Sequence, residues 1–239
     1  MAPEGRPLSA IDIMLVPLWY VVFLLAITCH EAGHAFAALL GGDDTAYLGG
    51  QVTLNPLPHV MREPVGTVLV PLLTFTQIGW MMGWASAPYD PYWADRHPRR
   101  AAAMAAAGPA ANLLLALIAF VVLKAGLSAG VWVPSVSDHY ELDRLVQTTD
   151  GHGGIWDGAG RFCSVMLSLN YLLLWFNLLP IPPMDGASVL VGLVAPAREP
   201  MERFRAVPLS GLIGILVAWW LFGKIFWPLY LPVVGWLYG

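Results

Sequence analysis

Residues 13–40 read IMLVPLWYVVFLLAITCHEAGHAFAALL, and this stretch decides the fold class. A helix that crosses a bilayer needs roughly 20 mostly apolar residues. This run is longer, and it stops at Gly41-Gly42-Asp43-Asp44, a cluster that breaks helices. It also exceeds the apolar region of a signal peptide and contains His and Glu, so a retained helix is expected. The rest of the chain has the same character: of 239 residues, 57% are hydrophobic and 12% charged. A soluble domain carries about 25% charged residues, so the expected class is an all-α polytopic membrane protein surrounded by lipid. Lys and Arg are few and scattered and the formal net charge is −4, which excludes the basic stripe that nucleic-acid binding requires.

Four further apolar segments follow. Val65–Trp84 is broken by Pro71, Gly79 and Gly83, whereas Ala101–Ala125 is unbroken and long enough to span. Arg161–Leu179 leads into Pro180-Ile181-Pro182-Pro183-Met184-Asp185-Gly186, and Val207–Trp236 is interrupted by Gly223-Lys224, Pro228 and Pro232. Between them, Tyr47–Leu54 has Gly49-Gly50 flanked by β-prone residues and reads as a small hairpin. The polar stretch from Gly126 to Gly160 reads as an exposed loop with one short helix around Tyr140–Val146. With no linker or repeat, residues 1–239 are expected to form one integral domain, with a core over 13–190 and a C-terminal helical segment over 207–236. Cys29 and Cys163 lie in apolar segments, where free Cys acts as a small hydrophobe.

His30-Glu31-Ala32-Gly33-His34 carries the chemistry. Histidines four apart project from one helix face, so both imidazoles can reach one Zn2+, and the Glu after the first can act as general base toward water on the metal. Cys29 points about 100° away from His30 and is not expected to join them. Two histidines that simply pack on a helix would be the plain alternative. Against it, three polar side chains in one turn of a spanning helix are costly, with Glu alone about 2.5–3.5 kcal/mol, and such residues mark functional sites. A catalytic zinc wants three protein ligands and an open position, and Asp185 is the candidate third. The prolines before it prevent a helix, and non-helical backbone at membrane depth is tolerated where it lines a cavity. A solvated Asp-Gly turn is the alternative there.

His30–His34, Gly108-Pro109-Ala110-Ala111-Asn112 and Asn177-Leu178-Leu179-Pro180-Ile181-Pro182-Pro183-Met184-Asp185-Gly186 together resemble the three motifs of the site-2 protease family, which are zinc intramembrane metalloproteases. The similarity covers most of Ile13–Leu190, including Gly50–Pro56. It implies His30, His34 and Asp185 as ligands of one zinc, Glu31 as acid/base, and Asn112 and Asn177 as polar support near the scissile carbonyl. An Asn amide can donate to a developing oxyanion, although it can equally bond a neighbouring helix. The resemblance further implies that Tyr47–Leu54 is a membrane-associated sheet that holds an extended substrate by strand addition. The implied substrate is a transmembrane protein or peptide. Many members carry an inserted PDZ domain; the longest polar loop here is too short for one, so the minimal, PDZ-free type is implied. His59, His97, His139 and His152 match no motif and are expected to be solvated loop residues.

These ligands also constrain the threading. For His30, His34 and Asp185 to meet, residues 41–100 must leave one face and return to it, which makes Val65–Trp84 re-entrant. Arg62, Arg96, Arg99, Arg100, Arg198, Arg203 and Arg205 then share the metal-proximal face, and the positive-inside rule puts that face in the cytoplasm of a bacterial-type cell membrane. A membrane metal-binding transporter or scaffold is the competing function, but a structural zinc site needs no base and closes its fourth position, so Glu31 weighs against it. A protease of another family with a Glu third ligand would need a Glu at membrane depth after Glu31, and none is present.

Overall fold

A computed structural model describes residues 15–135, 141–149 and 154–239. Its helices are α1 (Val16–Gly41), α2 (Thr45–Leu48), α3 (Pro56–Arg62), α4 (Val70–Ile78), α5 (Pro91–Arg96), α6 (Pro98–Ser128), α7 (Ile155–Asn177), α8 (Asp185–Leu193), α9 (Arg198–Arg205) and α10 (Ser210–Tyr238). A π-helical turn, Val65–Leu69, runs into α4. Two short strands, β1 (Trp132–Pro134) and β2 (Val146–Thr148), pair antiparallel with Val133 opposite Gln147. Among the described residues, four helices, α1, α6, α7 and α10, are long and apolar enough to cross a membrane.

The sorting of side chains is that of a protein in lipid. Leu114, Leu117, Ile118 and Val121 stand exposed on α6, while Asn112, Ser164, Ser168 and Asn170 are buried. With no water in the hydrocarbon, polar groups are satisfied inside the bundle, and helices are held by close packing rather than by hydrophobic contrast. Small residues permit that packing. A Cβ on Gly33 of α1 would stand 2.8 Å from the Ala107 carbonyl oxygen of α6, so this pair of helices meets almost backbone to backbone.

The threading expected from the metal ligands is the one observed. The carbonyl of Gly41, where α1 ends, accepts from Arg100 Nη1 at 3.1 Å and Trp93 Nε1 at 3.0 Å, so α1 ends at the height where α6 begins. The π turn and α4 together extend only about 21 Å at 1.5 Å per residue, short of a core of about 30 Å. Gly79 then reverses the chain with φ 78°. On the return, Met82 N–H donates to Thr74 Oγ1 (2.9 Å) and Trp84 N–H to the Gly66 carbonyl (3.1 Å), so the segment ends where it began. Arg198 of α9 also pairs with Asp95 at 3.0 Å, which places the segments after α5 and α8 on one face.

Three expectations are corrected. Tyr47–Leu54 is not a hairpin: it is α2 followed by a turn in which Gly50 N–H donates to Tyr47 O and Gln51 N–H to Ala46 O. The tight hairpin turn wants positive φ at two residues; Gly50 has it (φ 70°) but Gly49, at φ −75°, does not. The small sheet lies instead within 126–160, and β2 begins at Val146, where a helix was expected; residues 141–145 are turns and irregular, and Tyr140 lies outside the described residues. Finally, Val207–Trp236 is not interrupted. Helix α10 continues through Pro228 and Pro232, from Gly214 packed on the Pro182 carbonyl to Trp236 and Leu237, whose carbonyls accept from Lys124 Nζ at 2.9 and 3.1 Å. It traverses the bundle once.

Candidate metal centre

Helix α1 presents His30 and His34 toward α6, and these two and Glu31 are all less than 9% exposed. The loop 178–184, non-helical as its prolines require, returns the chain so that Asp185 opens α8. There the carboxylate occupies the first turn of a helix, where the dipole favours an anion. Two contacts fix the loop: Gly186 lies against the Leu178 carbonyl, and Gly214 of α10 against that of Pro182, each too close for a side chain.

Three ligand atoms converge. His30 Nε2 and His34 Nε2 are 3.0 Å apart, and Asp185 Oδ2 lies 3.1 Å from the first and 3.4 Å from the second. Tetrahedral ligands at 2.0–2.1 Å from zinc stand about 3.3 Å from one another, so the triangle has the size of three corners of a zinc site. The imidazoles are also set for the purpose. His30 Nδ1–H donates to Asn112 Oδ1 at 2.6 Å and His34 Nδ1–H to the Met104 carbonyl at 2.8 Å. Each ring therefore carries its proton on Nδ1 and turns a bare Nε2 inward, the arrangement that outer hydrogen bonds enforce at metal-binding histidines. Asp185 Oδ2 is buried without a hydrogen-bond donor. A Cβ on Gly108 would sit 2.3 Å from His34 Nε2 and 2.6 Å from His30 Nε2, so glycine keeps this cradle open. Donor set, spacing, orphaned oxygen and cradle all fit a zinc ion.

The two asparagines are placed differently. Asn112 is fully buried; its oxygen accepts from His30, and its nitrogen donates to Asn170 Oδ1 at 2.9 Å and to Ala26 O at 3.3 Å. Both amide hydrogens are engaged inside the bundle. Asn177, in the last turn of α7, donates back to Leu173 O at 3.0 Å and makes no hydrogen bond to the three ligand residues. Asn170, which the sequence reading passed over, completes the network by anchoring Asn112 and donating to Met166 O at 2.9 Å. An amide in the middle of an apolar helix was its available signal. Cys29 is free and outside the cluster. His59 is buried, with Nε2 donating to Thr53 O at 3.1 Å, so it is not the solvated residue expected; His139 and His152 lie outside the described residues.

The profile of Peptidase family M50 matches residues 18–221. The chain is 33% identical over 183 residues to a Bacillus subtilis protein named "Putative zinc metalloprotease YwhC", covering 76% of this chain and 71% of that one. It is 28% identical over 232 residues to "Putative zinc metalloprotease Rip2" of Mycolicibacterium smegmatis, covering 93% and 76%. The Rip2 protein of Mycobacterium tuberculosis is 27% identical over 224 residues, covering 92% and 74%. No solved structure matches the chain. The family match spans all three motifs and no inserted PDZ domain interrupts it; the chain is a member of Peptidase family M50, the site-2 protease family of membrane zinc metalloproteases.

Proposed function

We propose that this chain hydrolyses a peptide bond in or near the transmembrane segment of a membrane protein, using one zinc ion held by His30, His34 and Asp185. The observation that carries the reading is the triangle of ligand atoms, 3.0–3.4 Å on a side, with the buried Glu31 next to the first ligand in sequence. When bound, the ion supplies Lewis-acid polarisation of the scissile carbonyl and makes water acidic enough to react near neutral pH. Glu31 follows the first ligand and has no hydrogen-bond or ion-pair partner among the described residues, so its carboxylate is free to take a proton. It accepts the proton of the attacking water and delivers it to the departing amine. Asn112 holds the His30 tautomer. Asn177 uses one amide hydrogen on Leu173 and keeps a second for the substrate carbonyl.

The substrate must present unwound backbone at this depth. In this reading residues 1–239 act as one integral domain, and the metal-proximal face, which carries most of the arginines, faces the cytoplasm of a bacterial-type cell membrane. The purified chain in proteoliposomes, mixed with a reporter carrying one transmembrane segment, tests the activity. Glu31→Gln is expected to reduce cleavage about 10²–10⁴-fold with zinc content unchanged; cleavage at the wild-type rate would refute the protease reading.

A further inference from the structure

Outside the metal centre, a charged side chain on the spanning helix α10 has no counter-ion among the described residues. Lys224 belongs to α10, its ammonium has no acidic partner among the described residues, and its one recorded contact is the Trp220 ring, 3.7 Å away. Beside it a groove of about 460 Å3 opens between α7 and α10, lined by Trp175, Leu178, Leu179, Ile225 and Leu229. Trp175 Nε1 is buried and has no acceptor. An apolar channel with a free cation at its rim is matched in charge to an acyl chain with an anionic head.

The height of the groove agrees. Asn112 is midway along α6 between Arg100 and Lys124, about 18 Å from each at 1.5 Å per residue, so it marks mid-height. Asn170 bonds to Asn112, and Tyr171 and Ser168 meet Leu229 and Tyr230, which puts Tyr230 at the same level. Lys224 is then about 9 Å nearer the metal-proximal face. Its side chain leans a further turn that way, toward Trp220, and so reaches the edge of a hydrocarbon core about 15 Å from the mid-plane. Trp175, five residues past Asn170 on α7, stands deeper, about 7.5 Å from the mid-plane, among the upper acyl chains.

We propose that this groove binds one anionic phospholipid of the metal-proximal leaflet. The phosphate rests on Lys224 Nζ, and an acyl chain lies along Trp175, Leu178, Ile225 and Leu229. Leu178 and Leu179 also begin the loop that delivers Asp185, so the occupant braces that loop from outside.

The test is native mass spectrometry of the full chain, delipidated in detergent and titrated with phosphatidylglycerol or phosphatidylethanolamine. Wild type is expected to retain one phosphatidylglycerol roughly fivefold better than phosphatidylethanolamine, the increment of one cation at the membrane surface. Lys224→Gln should remove the preference, Lys224→Arg should keep it, and Trp175→Phe should weaken both lipids alike. Equal retention of phosphatidylglycerol by wild type and Lys224→Gln would overturn the proposal, as would displacement of the lipid by inorganic phosphate. A photo-crosslinker at position 225 should give lipid adducts; adducts to a second protein chain would show that the groove takes protein instead.

Discussion

The seam between α1 and α6 and the seam between α7 and α10 solve the same problem with opposite materials. At the first, Gly33 and Gly108 remove side chains, so the helices approach until Asn112 and the Met104 carbonyl of α6 bond the two imidazoles of α1. At the second, rings fill the space: Phe176 meets Phe222 at 5.4 Å edge to face, and Tyr171 meets Tyr230 at 5.9 Å. Close approach is what a metal site demands, because imidazole and carboxylate reach only a few ångströms. Rings instead hold a helix in register while keeping its backbone at a distance. Chemistry and anchorage are thus allotted to different seams.

Substitutions should separate the two. Gly108→Ala has the largest expected effect, since its methyl would occupy the space between the ligand nitrogens. Zinc retained after dialysis should fall to background while the helical circular dichroism persists; stoichiometric zinc in that variant would remove the cradle from the account. Asn112→Leu keeps the volume but takes away the acceptor for His30 Nδ1–H. Chelator competition should register a 10–100-fold loss of zinc affinity, the usual cost of deleting such a partner. At the ring-filled seam, Tyr230→Phe breaks the hydrogen bond to Ser168. It should cost about 1 kcal/mol of stability in a denaturation series and leave zinc affinity unchanged; a shift in zinc affinity would mean that the seams are coupled.

The smallest effect is expected at Asp43, just beyond α1. Burial works against its charge, but the N–H groups of Thr45 and Asp90 and the Thr45 hydroxyl outweigh that and hold its pKa below the ordinary carboxylate value. A depressed carboxylate stabilises fully above its unfolded pKa, and the contribution is lost as pH falls toward the folded value. Thermal unfolding from pH 6 down to pH 3 should therefore drop slightly more steeply for wild type than for Asp43→Asn.

Much of this was legible before any coordinates. Run length identified spanning segments, the i, i+4 histidines gave one half of the metal cluster, and the proline-framed Asp185 gave the other. Re-entrance of Val65–Trp84 followed because three ligands can meet on only one threading. What stayed hidden depends on neighbours that a single sequence does not display. Asn112 was identified as polar support, but its direction toward His30 is set by Asn170 and Ala26 across two helix interfaces. Gly49-Gly50 looked like a hairpin turn, yet the preceding four residues form a helical turn whose carbonyls take the following N–H groups. Prolines 228 and 232 looked like breaks, and in a membrane helix they are tolerated because the freed backbone groups are satisfied locally.

The central claim is that one zinc is held by His30, His34 and Asp185. X-ray absorption at the zinc edge of the purified wild-type chain and of Asp185→Ala tests it most directly. The account predicts one zinc per chain with two imidazole nitrogens and oxygen ligands at about 2.0–2.1 Å, and loss of the bound metal in Asp185→Ala. A sulfur ligand at about 2.3 Å, or an unchanged spectrum in the variant, would contradict it.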